Sequence, residues 1–450
     1  MGRCLKLVLG AVLLCGATAM AEPADVEELQ KTIAELNATL KAQQAQIDQL
    51  ECKMDEGMQA EMAKVARELA DDAAKQSALP TWLDNLKFYG DMRLRYQNDC
   101  FAEREKKRNR ARFRLRFGFT KTWLDDQMEV GFRLASGSDC DPTSTNQTFT
   151  DHFNRKTILI DRVYAKWEPK SVPGLTVMGG KFGTPMVHTD LIWDSDVNPE
   201  GVWAQYRHKC GDFSPFVNAG YFILDSDYIS PAGAMIDRDN DGTADFTYRD
   251  VILVTYQVGM DWKITEDVKW TIAATYYDFD HLDVSYRAAN GNNTFTVNTL
   301  DGLDAYSFDR LAARQFHMIN LTNKVGWKLF DLPWAAYFDW VHNCGDEDTA
   351  FGYTDQRDGF AVGAQVGQNK KKGDWSVAYK YAYIEANCTP GALNDSDFGH
   401  SNRKGHVLAG KYNLADSLTV RAGVYLTEPV TGLYEDDLDV ATQVDLVWKF

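Results

Sequence analysis

The chain has 450 residues with a formal net charge of −17 at pH 7, and it contains 12% aromatic residues and 33 glycines. After residue 21, no stretch is apolar for the roughly 18–20 residues that a membrane-spanning helix requires, so the sequence excludes a bundle of such helices. The negative charge argues against nucleic-acid binding, because phosphate groups attract positive surfaces. The aromatic and glycine contents are typical of a large β structure.

Residues 1–21 have the pattern of a secretory signal peptide. Arg3 and Lys6 precede an apolar run over residues 7–17, and Ala19-Met20-Ala21 supplies the small residues of a cleavage site. The sequence therefore predicts that the chain is exported.

The segment 22–79 has the seven-residue repeat of a coiled coil. Residues that are apolar, with Gln43 as the single polar exception, recur at alternating intervals of three and four, which are the a and d positions of a heptad. These positions are Val26, Leu29, Ile33, Leu36, Leu40, Gln43, Ile47, Leu50 and Met54. The repeat predicts an α-helical coiled coil in the periplasm; the alternative is a single amphipathic helix packed against the next domain.

From Leu86 onward the hydrophobic period changes to two, which predicts β-strands. In the last segment, for example, Val444, Leu446 and Trp448 alternate with Asp445 and Lys449. About sixteen segments follow the pattern: 86–97, 109–123, 127–136, 156–168, 174–182, 201–209, 213–222, 250–264, 267–279, 314–329, 332–343, 359–369, 373–385, 403–415, 418–427 and 439–450. Alternation alone is compatible with either a sandwich or a barrel.

The connections between these segments favour a barrel. Tight turns alternate with long connections at 98–108, 137–155, 183–200, 223–249, 280–313, 344–358, 386–402 and 428–438. Short periplasmic turns and long external loops are typical of an up-and-down membrane barrel, whereas a soluble sandwich has no reason to alternate in this way. We therefore predict an all-β transmembrane barrel of about sixteen antiparallel strands over residues 80–450.

Aromatic residues support the same interpretation, because tryptophans gather near the predicted turn ends of the strands, as an interfacial girdle requires. They are Trp123, Trp167, Trp262, Trp270, Trp327, Trp334, Trp375 and Trp448. The final strand ends on the outward residue Phe450, which resembles the assembly signal of outer-membrane barrels.

The whole predicted mature chain resembles the bacterial porin superfamily, and more closely the putative porins with a periplasmic coiled coil. The resemblance lies in Phe88-Tyr89-Gly90-Asp91-Met92-Arg93, in the arginine-rich second strand, and in Trp193-Asp194-Ser195-Asp196 with Pro199-Glu200-Gly201. It implies a passive channel in the outer membrane, usually a trimer, whose third long loop folds inward to narrow the pore.

Arginines occupy every second position from residue 108 to residue 116, along the first part of the predicted second strand, and apolar residues follow at the positions from 111 onward between them. A cation at the bilayer midplane costs about 2–4 kcal/mol, so the apolar side must face lipid and the arginines must face the lumen. The first strand follows the same rule. The predicted pore-lining cations are Arg93, Arg95, Arg110, Arg112, Arg114 and Arg116.

The third long connection carries Asp190, Asp194, Asp196 and Glu200 beside Trp193. If this connection folds into the barrel, its carboxylates confront the arginines, and the transverse field filters solutes by charge. The alternative is that these acids cap an external loop. Ion selectivity stays open, because the arginines favour anions whereas the negative net charge favours cations.

A second acidic segment matches the first nine positions of a calcium-binding loop. Asp237, Asp239 and Asp241 stand at alternate positions, Gly242 permits the sharp turn, and Asp245 follows at the ninth position. The twelfth position is Tyr248, so the bidentate glutamate of that motif is absent. We expect either a calcium site or an acidic external loop, and no cofactor that the channel requires.

Catalytic motifs are not evident. The eight histidines form no H-E-x-x-H pair, and the sequence has no P-loop or nucleophile elbow. The cysteines beyond the signal peptide are far apart and form no C-x-x-C pair, so their pairing stays open.

The sequence thus predicts an outer-membrane porin, not an enzyme, for passive diffusion of small hydrophilic solutes and ions. Its predicted partners are outer-membrane lipid and further copies of itself in a homotrimer. The alternatives are a channel selective for anionic substrates, or a tether through which the coil binds peptidoglycan or another cell-wall polymer.

Overall fold

The alternation of apolar and polar residues produces strands whose two faces have different surroundings, and the structure, a computed structural model, has one sheet built from such strands. It describes residues 84–101, 106–139, 141–226, 250–280, 316–345, 356–431 and 437–450, and parts of the segment 28–67. The chain divides into two compact units, Met1–Asp84 and Asn85–Phe450.

In the first unit, the described residues include a helical run over residues 34–49. Its apolar side chains Leu36, Leu40 and Ile47 are exposed. None of the helices in the described part of the chain is long and apolar enough to cross a membrane. The coiled coil stays a prediction, and the predicted signal peptide lies outside the described residues.

The second unit is a seventeen-stranded antiparallel sheet. The strands are β1 (Leu86–Phe101), β2 (Lys106–Trp123), β3 (Met128–Ser136), β4 (Gln147–Thr148), β5 (Ile158–Trp167), β6 (Leu175–Lys181), β7 (Glu200–Arg207), β8 (Phe213–Asp225), β9 (Val251–Lys263), β10 (Val268–Asp280), β11 (Phe316–Leu329), β12 (Leu332–Asn343), β13 (Asp358–Gly367), β14 (Trp375–Ile384), β15 (Arg403–Ala415), β16 (Leu418–Pro429) and β17 (Asp439–Lys449). Two short 3₁₀ helices, Asp151–Phe153 and Gly391–Leu393, lie in loops.

The sheet closes on itself. β17 pairs with β1 from Asp91 opposite Lys449 to Cys100 opposite Val440, and each other long strand pairs with its neighbours along the chain. β4 has two residues and belongs to a loop that pairs with β2. The remaining strands form a closed sixteen-stranded antiparallel barrel, which confirms the predicted fold class.

The alternation places apolar side chains on the outside of the barrel. In β1, Met92, Leu94 and Tyr96 are exposed, whereas Arg93 and Arg95 between them are buried. Residues on one parity of a strand share one face, so the polar parity forms the lumen wall.

Tryptophans lie at the turn ends of several strands. Trp262 is opposite Trp270 across β9 and β10, and Trp327 is opposite Trp334 across β11 and β12. The rings of the second pair are stacked, with centroids 6.1 Å apart. Such aromatic rows are typical of the membrane–water interface.

Two connections differ from the prediction. Strands β1 and β2 continue to Phe101 and back from Lys106, so the predicted long connection 98–108 shortens to residues 102–105. The predicted connection 137–155 contains β4. The first difference arises because polar residues such as Asn98 and Arg108 continue the β1–β2 ladder past the apolar alternation. The second arises because β4 pairs with β2, a contact between distant residues that periodicity does not reveal.

The C-terminal residue lies at the seam where the barrel closes. Gly90 and Phe450 exchange two backbone hydrogen bonds of 2.9 Å and 3.1 Å. The Phe450 ring covers Gly90, because a Cβ atom at position 90 would lie 2.6 Å from Phe450 Cε2 and 2.5 Å from the Arg116 carbonyl oxygen.

We expect Gly90→Ala to weaken the closed barrel by roughly 1–3 kcal/mol, because the added methyl group overpacks the seam. The midpoint of urea unfolding, followed by the mobility shift of unboiled protein on a gel, measures the effect. Gly410→Ala in β15 is the matched control, since a Cβ atom there meets nothing within 4 Å. Equal midpoints for the two variants would contradict the packing role of Gly90.

Candidate functional site in the barrel lumen

The predicted arginines line one side of the lumen. Arg93 is opposite Arg114, and Arg95 is opposite Arg112, in the antiparallel pair of β1 and β2. Like charges directly opposite each other are destabilising, so a stable wall requires counter-charges. We call the inward residues of β1 and β2 the basic wall.

Carboxylates of β1 and of the neighbouring strand β17 neutralise most of these arginines. Asp91 accepts hydrogen bonds from Arg114 and Arg116, each at 2.7 Å. Across the barrel seam, Arg95 donates to Asp445 Oδ1 at 2.7 Å, and on β2 Arg110 donates to Asp99 at 2.7 Å.

Arg93 and Arg112 differ from the other arginines because uncharged oxygens hold them. Arg93 donates to Asn146 Oδ1 at 2.6 Å, and Arg112 donates to Gln97 Oε1 and Ser144 Oγ, both at 3.2 Å. Ser144 and Asn146 belong to loop 2 (residues 137–157), which therefore lies against the basic wall. These two arginines keep a positive charge that no bonded carboxylate offsets.

Loop 3, which we define as residues 182–199 between β6 and β7, runs through the lumen to the opposite wall. The Val187 amide donates to Gln257 on β9 at 3.0 Å, and the Gln257 amide donates back to the Val187 carbonyl at 2.8 Å. Farther along, Lys324 on β11 donates to the His188 carbonyl, and Thr189 donates to Asp339 on β12.

An apolar core inside the barrel holds loop 3 in place. Leu191, Ile192 and Trp193 are 1–2% exposed. They belong to a buried cluster with inward residues of β8 to β14 and with loop 7 (residues 385–402), which also folds inward. The wall members of the cluster include Phe222, Leu253, Tyr277, Phe279, Phe316, Met318 and Ile384. Transfer of such side chains from water into an apolar core is favourable. The apolar residues of the barrel wall therefore stabilise the inward course of loop 3.

A half-buried lysine joins the two inward loops. Lys380 on β14 donates to Asp190 of loop 3 at 2.6 Å and to Asp395 of loop 7 at 3.0 Å. Its side chain is 12% exposed. We call these three residues the Lys380 latch.

The predicted acids of loop 3 do not converge on the basic wall. Only Asp196 approaches it, with its Oδ1 atom 3.5 Å from Arg116 and 3.9 Å from Arg114. Asp190 belongs to the Lys380 latch on the opposite side.

Asp194 turns away from the arginines and is buried against loop 7. Its carboxyl group accepts hydrogen bonds from the backbone amides of Asp196 at 2.8 Å and Ser396 at 3.2 Å. Burial, followed by the nearby Asp395 and Asp196 carboxylates, raises the pKa of Asp194 to about 8.

The prediction that Glu200 lines the pore does not agree with its position. Glu200 shares the parity of Val202, which is 56% exposed on the outer face of β7, and it pairs with Lys181 at 2.7 Å. Glu200 is the first residue of β7, so its side chain takes the outward position that the alternation of the strand assigns to it.

Sequence reasoning missed the residues Arg162, Lys380, Asp395 and Asp397. Asp397 reaches the basic wall, where it accepts from Arg95 at 3.0 Å. Arg162 follows Asp161 in an otherwise alternating strand, and this pair of adjacent charges is a signal that could have been recognised. Nothing in the linear sequence brings Lys380 to Asp190, which lies 190 residues away.

The remaining candidate sites are a calcium site and the cysteines. The predicted calcium segment 237–245 lies outside the described residues, so it stays a prediction. Within the described ranges, no group of three or more His, Cys, Asp or Glu side chains is arranged to hold a metal ion. Cys100, Cys210, Cys344 and Cys388 form no disulfide bond, and Cys52 and Cys140 lie outside the described residues.

We expect Lys380→Met to release loop 3, because the partly buried Asp190 and Asp395 carboxylates then lose their shared cation, which costs roughly 1–3 kcal/mol. Limited proteolysis of the folded protein should then cut within loop 3. Lys404→Met is the matched control, since Lys404 on β15 pairs with Glu428 at 3.2 Å and, among the described residues, neither of these two groups bonds to loop 3. Protection of loop 3 in Lys380→Met would contradict the latch.

We expect the contact between loops 3 and 7 to weaken as the pH rises through about 8, because the pKa of Asp194 is raised to about 8. Below that pH the carboxyl group is neutral; above it, a negative charge forms beside Asp395 and Asp196. Single-channel current should therefore change between about pH 6 and about pH 9 in the wild type and not in Asp194→Asn, which cannot ionise. The same pH response in both proteins would exclude Asp194 as its origin.

Comparison with known proteins agrees with this architecture. A family model described as putative porin matches residues 47–108, 102–301 and 311–450. A structure of Pseudomonas putida OprB at high pH covers 84% of this chain and 97% of its own, with 14% sequence identity and a TM-score of 0.51. That likeness shows the fold.

Two further comparisons add no argument. A mutant of the porin from Rh. blastica covers 81% of this chain and 100% of its own, with 11% identity and a TM-score of 0.41. No curated protein sequence matches the chain. The family match extends over most of the sequence and coincides with the closed barrel, so the chain belongs to the putative porin family, and its family and fold are those of a porin channel of the outer membrane.

Proposed function

We propose that the protein is a homotrimeric diffusion channel for small hydrophilic solutes and ions, with a preference for anions. The observation that carries the proposal is the basic wall, which faces loop 3 inside a closed barrel. A solute that crosses the barrel passes between fixed charges in a narrow aqueous space, where their field is strong.

The preference for anions rests on the balance of charge at the basic wall. Arg93 and Arg112 are held by uncharged oxygens, so their charge is not offset by a bonded carboxylate. The negative net charge of the whole chain acts from farther away, and salt screens it within about 8–10 Å. Local cations therefore outweigh the remote acids.

The N-terminal unit supports assembly of several copies of the chain, and the choice of a trimer rests on the resemblance to porins. Leu36, Leu40 and Ile47 follow the heptad and are exposed in a single chain. An exposed apolar stripe on a helix requires a partner, and further copies of the same helix supply matching a and d residues.

The heptads also favour a second candidate function, in which the N-terminal unit tethers the barrel to the cell wall. Co-sedimentation of the folded protein with purified peptidoglycan tests this role. Binding that disappears on deletion of residues 22–79 would support the tether, and unchanged binding would exclude that segment.

The channel is tested by the conductance of purified protein in a planar bilayer under a salt gradient. We expect the current to rise in ohmic steps that occur in groups of three, and the reversal potential to have the sign of an anion-selective channel. No conductance from folded protein would contradict the channel.

We expect the double variant Arg112→Gln, Arg116→Gln to move the reversal potential toward that of cations, because two positive charges leave the basic wall. Lys170→Gln is the control: it removes a charge in the exposed turn between β5 and β6, where Lys170 is 3.4 Å from Asp125. Equal reversal potentials in the double variant and the wild type would exclude the basic wall as the selectivity filter.

A further inference from the structure

A β-bulge in β5 places two consecutive charged residues in the lumen. Arg133 of β3 is opposite Arg162 of β5, but the next residue, Leu134, is opposite Ile160. Asp161 is therefore an extra residue in the ladder. A bulge of this kind re-aims side chains locally, and here Asp161 is buried and Arg162 half-buried, whereas Ile160 and Val163 on either side are exposed.

The two charges of the bulge have different partners. Asp161 accepts hydrogen bonds from Arg133 and from the Asn198 amide, the latter at 2.8 Å. Arg162 donates only its Nε atom, to Asn198 Oδ1 at 2.7 Å. Among the described residues, no carboxylate lies within ion-pair distance of the Arg162 guanidinium group, so its two terminal nitrogens are available to a ligand.

Gly183 of loop 3 allows the guanidinium group to occupy this position. A Cβ atom at residue 183 would lie 2.6 Å from Arg162 Nη2 and 2.8 Å from Arg162 Cζ. The group therefore lies directly against the backbone of loop 3, and any side chain there would displace it.

Arg162 is at the edge of a cavity of about 380 Å³ between β5, β6 and loop 3. The wall combines the apolar atoms of Tyr164, Met178 and Val197 with the polar groups of Thr184 and His188. The Thr184 hydroxyl group is buried and has no hydrogen-bond partner. A polar ligand in the cavity would relieve that unpaired group, whose burial without a partner is otherwise costly.

The cavity does not suit a cationic ligand. Asp194 is the carboxylate that lines it, and both of its oxygens already accept backbone amides. A planar carboxylate, in contrast, matches the fork of a guanidinium group, and an apolar substituent fits the wall beyond it.

We propose that this cavity is a binding site for small organic carboxylates that carry an apolar group, with Arg162 as the residue that binds the carboxylate. The proposal rests on the channel function and specifies its solute class. Bound solute would dwell beside loop 3 before it crosses the constriction, so transport of this class would saturate.

The probe is benzoate, titrated calorimetrically into the folded, detergent-solubilised full chain. We expect binding to wild type and at least about tenfold weaker binding to Arg162→Gln, since a hydrogen-bonded charge pair contributes more than one tenfold step in affinity. Lys166→Gln is the matched control, because Lys166 lies on the same strand and pairs with Glu168 at 3.0 Å outside the cavity. Equal affinities of wild type and Arg162→Gln would overturn the proposal.

Two comparisons define the ligand class. Benzamide has the apolar group without the charge, and acetate has the charge without the apolar group, so both should bind more weakly than benzoate. Benzamide equal to benzoate would exclude recognition by Arg162, and acetate equal to benzoate would exclude the apolar wall.

Gly183→Ala tests whether Arg162→Gln acts through the position of the guanidinium group and not through the change of net charge or through misfolding. It keeps the arginine and displaces the guanidinium group, so benzoate affinity should fall while the reversal potential in potassium chloride stays at the wild-type value. Unchanged benzoate affinity would overturn the placement of the site. Calorimetry needs no current, so the two proposals are tested separately. A missing conductance would refute the channel, whereas the titration would still show whether the cavity binds benzoate.

Discussion

The lipid around the barrel is the constraint on which the rest of the structure depends. Apolar side chains must face it, and a strand has only two faces, so every second residue is assigned to the lumen. The arginines of β2 are in the lumen because the residues between them are apolar. Their repulsion across the β1–β2 pair then requires Asp91, Asp99 and Asp445 on the same face. The surrounding lipid thus determines where the arginines lie and where the carboxylates that neutralise them must lie.

The lumen in turn has two unlike sides. Toward β1 and β2 it is charged, whereas from β8 to β14 it carries buried apolar residues that bind loop 3. Loop 3 is therefore an interior layer with its own core, and the Lys380 latch fixes it to loop 7.

The barrel could be predicted from sequence because the two-residue period and the loop lengths are local signals that lipid enforces. The arginine positions followed from the same parity. The inward course of loop 7 and the latch could not be predicted, since they depend on contacts between residues far apart in the chain, such as Lys380 and Asp190. One signal was available: Val251 to Val254 are apolar on both parities, and such a run indicates a strand whose inward face is also covered.

The bulge at Asp161 shows how a wall of this kind can change without breaking its rule. A substitution changes one side chain that faces the lumen, but the number of such side chains stays the same because strand length sets it. A one-residue insertion adds a lumen group, and the strand resumes its alternation on either side, so the lipid face is preserved. Pore chemistry in such barrels can therefore diversify through changes in length as well as through changes in residue type, at sites where an alignment would record only a gap.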